Sequence, residues 1–199
     1  MAYPTVSAPY GLKPVNLVGG RVFAGATRQF PIASGYAANI FNGDVVKLIN
    51  DGTIQKDTGT ATATPVGVFV GCSYTSPALG YQLFSQYYPT GTVASDIVAY
   101  VVDDPDALFK VAVTAAGTAN IATVARTAVG NNSVLIQTAG NTATGDSKIS
   151  ISSTTATTAT QPIRIIDVVP ETATGADAFV EVIVKWNWGM HQYQNATGV

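Results

Sequence analysis

The stretch that most constrains the fold runs from Asn42 to Tyr74. Two apolar runs, Val45–Ile49 and Val66–Cys72, lie on either side of the short polar run Thr53–Asp57. The Asp51-Gly52 dipeptide after the first run suits a two-residue type I′ turn, because both positions accept a positive φ. The run Val66–Cys72 is uncharged and rich in β-branched residues and glycine, which is typical of a strand covered on both faces. The stretch therefore predicts a β-meander around a buried third strand.

The chain carries few charged side chains for its size. Its 199 residues predict one domain, or one domain with an extended arm. Charged residues make up 11% of the sequence, less than half of the usual share of about 25%. Charged side chains commonly protect the open edges of β-sheets from pairing with other chains. We therefore expect neighbouring subunits or a larger surface to cover the sheet edges.

Charge and hydropathy argue against nucleic acid and membranes as partners. The net charge is −2, and the ten Lys and Arg residues are scattered, so we expect no nucleic-acid partner. No window reaches the roughly 18 consecutive apolar residues typical of a membrane helix, so we expect no membrane partner. The first fifteen residues lack the cationic start and apolar stretch of a signal peptide, which predicts synthesis in a cytoplasm.

The sequence divides into three parts. Residues 1–30 predict an extended N-terminal arm, because prolines at positions 4, 9 and 14 interrupt any regular element. Residues 31–189 predict the all-β domain, and residues 190–199 a polar C-terminal tail. Within the domain, residues 114–160 are rich in Ala, Thr and Gly and contain many turn signals. Either a disordered linker or a set of short surface strands fits this part, and its regularly spaced apolar islets favour strands.

The clearest single strand is predicted at Phe179–Trp188. Its even-numbered residues are all valine or tryptophan, and they form one apolar face of a half-buried strand. Pro162–Val169 precedes it as a more buried hairpin partner. No segment shows a sustained apolar stripe of helical period. The predicted fold is all-β, a β-barrel or sandwich of about ten short strands.

Few residues suggest chemistry. His191, the sole histidine, lies in the polar tail, and Cys72 lies in an apolar run, so a Cys72–His191 dyad is disfavoured. Asp103, Asp104 and Asp106 predict a polar turn, with a Ca²⁺ site or a glycosidase site as alternatives. No complete catalytic set can be assembled, so we expect no enzyme and no cofactor.

Several segments, in order along most of the chain, resemble a family of tailed-bacteriophage virion structural proteins, some of which are capsid decoration (cement) proteins. The segments that carry the resemblance are Ala8–Val15, Gly43–Leu48, Pro65–Gly71, Ala99–Phe109 and Ile163–Val169 with the Thr/Ala-rich turn before it. The resemblance implies a location in the virion. The common capsid-shell fold needs a long spine helix, and this sequence has no candidate for one.

A decoration protein of this kind would bind the outer surface of the assembled icosahedral head. Its partners would be the major capsid protein and copies of itself, as a trimer or another homo-oligomer. A tail or neck component is one alternative, and a carbohydrate-binding β-module, suggested by Tyr87, Tyr88 and Trp188, is another. The predicted capsid or subunit contacts are Tyr10, Leu12, Val15, Trp186, Trp188 and Tyr193.

Overall fold

The computed structural model describes residues 6–172 and 178–199. Residues 1–5 of the predicted arm and 173–177 of the predicted domain lie outside the described residues. The described part contains thirteen strands and two 3-10 turns of three residues each, which confirms the all-β class with more strands than expected. The strands are β1 (Lys13–Leu17), β2 (Arg28–Pro31), β3 (Val45–Leu48), β4 (Ile54–Lys56), β5 (Gly67–Thr75), β6 (Gln82–Ser85), β7 (Val98–Val102), β8 (Ala107–Thr114), β9 (Asn132–Ser133), β10 (Leu135–Ile136), β11 (Ser150–Ser152), β12 (Ile163–Val168) and β13 (Glu181–Trp186). The 3-10 turns are Arg126–Ala128 and Pro170–Thr172.

The strands form two sheets. The architecture is a nearly closed barrel with a second sheet. The seven-stranded sheet has the order β10-β11-β8-β13-β12-β9, and β1 also pairs with β8. The six-stranded sheet has the order β2-β7-β5-β3-β4, and β6 also pairs with β5. All pairs are antiparallel except that of β8 with β11.

The three strands predicted between Asn42 and Tyr74 are present as β3, β4 and β5, and β5 is buried along nearly its whole length. The predicted meander order is wrong, because β3 pairs with both β4 and β5. A strand that is apolar on both faces is most stable at the centre of a sheet, where both faces are covered. β5 lies at such a position, between β7 and β3. The short β4, with Gln55 and Lys56, is left at the edge.

The turn between β3 and β4 also differs from the predicted type. The Ile49 amide donates to the Thr53 carbonyl at 3.0 Å, and the Gly52 amide donates to the Ile49 carbonyl at 3.0 Å. Only Gly52 has a positive φ, of 81°, so a type I′ turn with two such residues is excluded. A three-residue loop closes the hairpin instead, with glycine at the left-handed position.

Two hydrophobic cores lie on opposite faces of the six-stranded sheet. Val68 and Val102 belong to the first core, which fills the space against the seven-stranded sheet. Their neighbours Phe69 and Val101 belong to the second core. Successive side chains of a strand point to opposite faces, so β5 and β7 contribute to both cores at once.

The hairpin predicted near the end of the chain is confirmed by the pairing of β12 with β13. Val182, Val184 and Trp186 on β13 are buried, as the alternation predicts. Glu181, on the opposite face of the strand, is also buried, and its carboxylate contacts the Tyr10 hydroxyl and Lys110.

Parts of the predicted arm and tail belong to the body. Residues 13–17 form β1 and pair with β8, although the prolines predicted an arm with no regular element. In the predicted tail, the Gln192 side chain bonds both the amide (2.6 Å) and the carbonyl (3.1 Å) of Leu48. Residues 114–160 contain short strands as favoured, but β9, β10 and β11 are buried rather than superficial.

Candidate contact surface

Three of the six predicted contact residues lie on the surface. Val15 on β1 is 38% exposed, and Tyr193 is 45% exposed. Trp188 is 74% exposed; it lies two residues beyond the end of β13, directly before a turn at Gly189 with a φ of 82°. These side chains are accessible to a partner.

Leu12 and Trp186 are buried, and the prediction that they form contacts on the surface is wrong for this conformation. The Leu12 amide donates to the Gly43 carbonyl at 3.0 Å, which draws its side chain into the first core. Trp186 lies on the inner face of β13, where its ring is 5.4 Å from that of Phe109. Both residues stabilise the body.

Tyr10 is half-buried, and its hydroxyl is already used inside the molecule. It donates a hydrogen bond to Glu181, whose carboxylate also forms an ion pair of 3.1 Å with Lys110. Burial, together with the bond to Glu181, raises the pKa of the Tyr10 hydroxyl. Tyr10 therefore joins the segment before β1 to β8 and β13.

The C-terminal segment is held against the body by a polar cluster. The Tyr193 hydroxyl donates to Asp103 Oδ2 at 2.8 Å and accepts a bond of 3.2 Å from Arg28. Burial and the Asp103 carboxylate raise the pKa of Tyr193 to about 12.

His191 is buried, with its ring 6.4 Å from that of Trp186. Burial lowers the pKa of His191, so its neutral form is favoured.

Two of the three carboxylates in the acidic loop before β8 are paired with cations of the same chain. Asp106 forms ion pairs with Lys185 at 2.8 Å and with Arg21 at 3.1 Å, and the bond from Lys185 lowers the pKa of Asp106. Asp103 faces Arg28 at 3.5 Å. In the chain outside residues 1–5 and 173–177, no group of three His, Cys, Asp or Glu side chains is placed to hold a metal ion. These contacts favour the polar-turn interpretation over a calcium site.

Cys72 is buried in the second core, and its Sγ lies 3.5 Å from the Tyr87 carbonyl oxygen. Burial raises the pKa of the thiol to about 12, so the thiolate needed for nucleophilic attack is disfavoured. His191 instead packs against Trp186 of the first core. Cys72 therefore lies in the second core and His191 beside the first, which disfavours a Cys72–His191 dyad.

Sequence reasoning missed a buried polar centre at Asp44. Its carboxylate forms an ion pair of 2.8 Å with Lys56 and accepts bonds from the Ser147 hydroxyl at 2.6 Å and the Phe41 amide at 2.9 Å. Asp44 is fully buried, and the Lys56 side chain is 13% exposed. The only sequence signal is a carboxylate that directly precedes a buried strand.

A second missed feature is an uncharged region around β6. Residues 58–95 contain no Asp, Glu, Lys or Arg over 38 positions. Within them, Leu79, Tyr81, Phe84 and Val93 are exposed. Tyr88, proposed as a surface aromatic, is buried instead and bridges to Ile40, which weakens the case for a carbohydrate-binding face.

No family model, no curated protein and no solved structure matches the chain. In the described ranges, no helix is long and apolar enough to cross a membrane. The assignment of function therefore depends on the residues and the geometry of this chain alone.

Proposed function

We propose that the protein is a tailed-bacteriophage virion structural protein, and specifically a capsid decoration protein that binds the assembled head. The observation that carries the proposal is large apolar side chains exposed on a charge-poor β body, of which Trp188 is 74% exposed. Exposed tryptophan contributes disproportionately to protein interfaces when a partner buries it. A body that exposes such residues is suited to binding a large protein surface.

The segments that carry the family resemblance support the proposal, because they meet in space. Gly11 has a φ of 80°, and a Cβ placed on it would lie 2.7 Å from the Gly43 carbonyl oxygen. Glycine is therefore required where the Ala8–Val15 segment crosses the Gly43–Leu48 segment. Asp44, in the second of these segments, anchors Lys56 and Ser147. These two segments thus form a structural centre of the body.

In this proposal the protein stabilises the head by linkage. A protein that binds only the assembled shell makes disassembly less favourable by mass action. The partner is the major capsid protein, and the location is the capsid surface. Contacts would come from Trp188, Val15 and Tyr193, with Tyr10 as a partly accessible fourth residue.

The test is co-sedimentation of the purified full chain with assembled, undecorated shells and, separately, with unassembled major capsid protein. We expect binding to shells only, and Trp188→Ala to weaken it by roughly tenfold or more, because an interface tryptophan can contribute 2 kcal/mol. Val22→Ala, at a residue 77% exposed, is the matched control and should bind like the wild type. Point substitutions are preferred to deletion of the first residues, because β1 and Leu12 belong to the body.

Failure to bind shells would overturn the proposal. Antibody labelling of whole virions at the tail or neck would favour the tail or neck alternative. Binding of the isolated chain to a glycan array would favour the carbohydrate-binding alternative, with Trp188 as its exposed aromatic residue.

A further inference from the structure

β6 presents an open edge of the six-stranded sheet. β5 pairs with β7 along one side and with β3 and β6 along the other. In the part of the chain that the structure describes, β6 pairs with no strand other than β5. Its second side therefore faces solvent.

The backbone groups on that open side can be identified from the register. The Ser76 amide donates to the Tyr81 carbonyl at 3.0 Å, and hydrogen-bonded pairs alternate with non-hydrogen-bonded pairs along an antiparallel ladder. Leu83 therefore directs its amide and carbonyl toward β5. The amides and carbonyls of Gln82 and Phe84 point away from β5, into solvent.

β6 differs from the other edge strands. The end strands β9 and β10 are buried and bond to residues outside the sheet, Asn132 to Ala156 and Leu135 to Thr60, and β1, β2 and β4 carry a charged residue or a proline. Charged side chains and prolines on an edge strand discourage pairing with another chain. The edge strand β2 contains Arg28 and Pro31, β1 contains Lys13 and Pro14, and β4 ends at Lys56. The sequence of β6, Gln-Leu-Phe-Ser, contains neither a charge nor a proline.

The side chains around this edge are apolar as well. Phe84 on β6 is 74% exposed, and Tyr81 and Leu79 in the preceding turn are more than half exposed. Residues 58–95 carry no charge, and the nearby carboxylates of Asp96 and Asp146 are bonded to Thr75 and Gln86, so β6 itself offers a charged partner no ion pair. A partner whose surface is also uncharged would bind there without the cost of removing charged side chains from water. A second copy of this chain has such a surface.

We propose that β6 pairs antiparallel with β6 of a second copy, about a two-fold axis at Leu83. In this register Gln82 lies opposite the partner copy's Phe84, and Phe84 lies opposite the partner copy's Gln82. The two amides and two carbonyls on each edge are then all paired, which joins the two six-stranded sheets. The two Phe84 side chains lie on one face at diagonal positions, within reach of each other. A two-fold contact of this kind is self-complementary.

This pairing specifies the self-association that the low charge predicts, and it does not depend on binding to a capsid. The test is sedimentation velocity of the full chain over a wide concentration range, without any shell. We expect a reversible dimer. The double variant Gln82→Lys/Phe84→Lys places like charges opposite each other, and it should raise the dissociation constant by roughly tenfold or more.

The matched control is Val22→Lys, at an exposed residue outside β6, which should dimerise like the wild type. Circular dichroism and thermal melting should show that all three proteins are folded. A wild type that stays monomeric, a trimer, or a dimer unaffected by the double substitution would each overturn the proposal.

Hydrogen exchange tests the register independently of the variants. As concentration rises, exchange of the Gln82 and Phe84 amides should slow, because they become paired. The Leu83 amide, which points toward β5, should change little. Protection that rises at another edge instead of β6 would place the contact elsewhere and overturn the assignment.

Discussion

The two sheets of this molecule bury their shortest ion pairs to different depths. The seven-stranded sheet and the turns beside it carry ion pairs in which at least one side chain is more than a third exposed. In the six-stranded sheet, β5, β6 and β7 contain no charged residue, and β2 carries the exposed Arg28 beside Asp103. Among the described residues, the shortest ion pair of this sheet, Lys56–Asp44, is buried. The pairs of the seven-stranded sheet are Lys110–Glu181 (3.1 Å, with Glu181 buried), Lys185–Asp106 (2.8 Å) and Arg126–Asp167 (2.9 Å), and the buried pair of the six-stranded sheet is Lys56–Asp44 (2.8 Å).

Ion pairs of similar length therefore differ in their effect on stability according to how deeply they are buried. Outer charges keep a sheet solvated and guard its edges, but each exposed pair contributes little to stability. A buried pair fixes the strands around it, and losing one partner leaves an uncompensated charge. In the six-stranded sheet the shortest ion pair is buried, and β6 at its edge carries no charged residue.

The largest expected effect comes from breaking the buried pair. Asp44→Ala should lower the free energy of unfolding by about 3–5 kcal/mol, because Lys56 is left buried without its partner. The Ser147 hydroxyl and the Phe41 amide also lose their acceptor. Equilibrium urea unfolding, followed by tryptophan fluorescence, measures the change.

The control for this prediction removes both charges together. Asp44→Leu with Lys56→Met should recover much of the loss, since apolar replacement of a whole buried pair is often neutral. A loss below about 1 kcal/mol for Asp44→Ala, the range of exposed pairs, would contradict the assigned burial of this centre.

This centre also shows where sequence reasoning stops. The alternation in Phe179–Trp188 predicts β13 and the burial of Val182 and Val184, because the period of two is a local property of the chain. Asp44 and Ser147, by contrast, are 103 positions apart, and no local pattern joins them. The order of β3, β4 and β5 was likewise unpredictable from adjacency in sequence.

The candidate site was predicted less well than the fold. Residue type alone suggested Trp186 as a contact, although the same alternation placed it on the apolar face of β13, where it is buried. Trp188 continues the pattern, but β13 ends at Trp186, so the second tryptophan is exposed. Strand ends are set by tertiary pairing, and the sequence signal for them is weak.

An intermediate effect is expected from His191, which joins the C-terminal segment to the first core. Burial lowers its folded-state pKa below the unfolded value of about 6.5. Its contribution to stability is therefore complete above about pH 6.5 and is lost as the pH falls toward the folded-state pKa. The loss can reach at most about 1.4 kcal/mol per pH unit, the slope for one proton.

Two measurements check this pH dependence. As the chain has one histidine, NMR titration of the imidazole reports the folded-state pKa directly. Urea unfolding between about pH 5 and 7 should show a steeper dependence in the wild type than in His191→Gln. A titration at or above the ordinary value near 6.5 would contradict the buried placement of the ring.

The smallest expected effect tests the other side of the comparison. Arg126 and Asp167 form an ion pair of 2.9 Å, nearly the same length as the buried pair, but their side chains are 75% and 51% exposed. Arg126→Ala should change the free energy of unfolding by about 0.5 kcal/mol or less, because water and side-chain entropy offset the attraction. Asp167 keeps its bond of 2.9 Å from the Val168 amide, so the substitution isolates the ion pair.

Urea unfolding at low salt and at about 1 M salt measures this effect. The free energies of unfolding of variant and wild type should differ little, since salt screens the remaining attraction between the two charges. An effect as large as that of Asp44→Ala would mean that the distance between the charges, rather than their burial, sets the stability of these pairs.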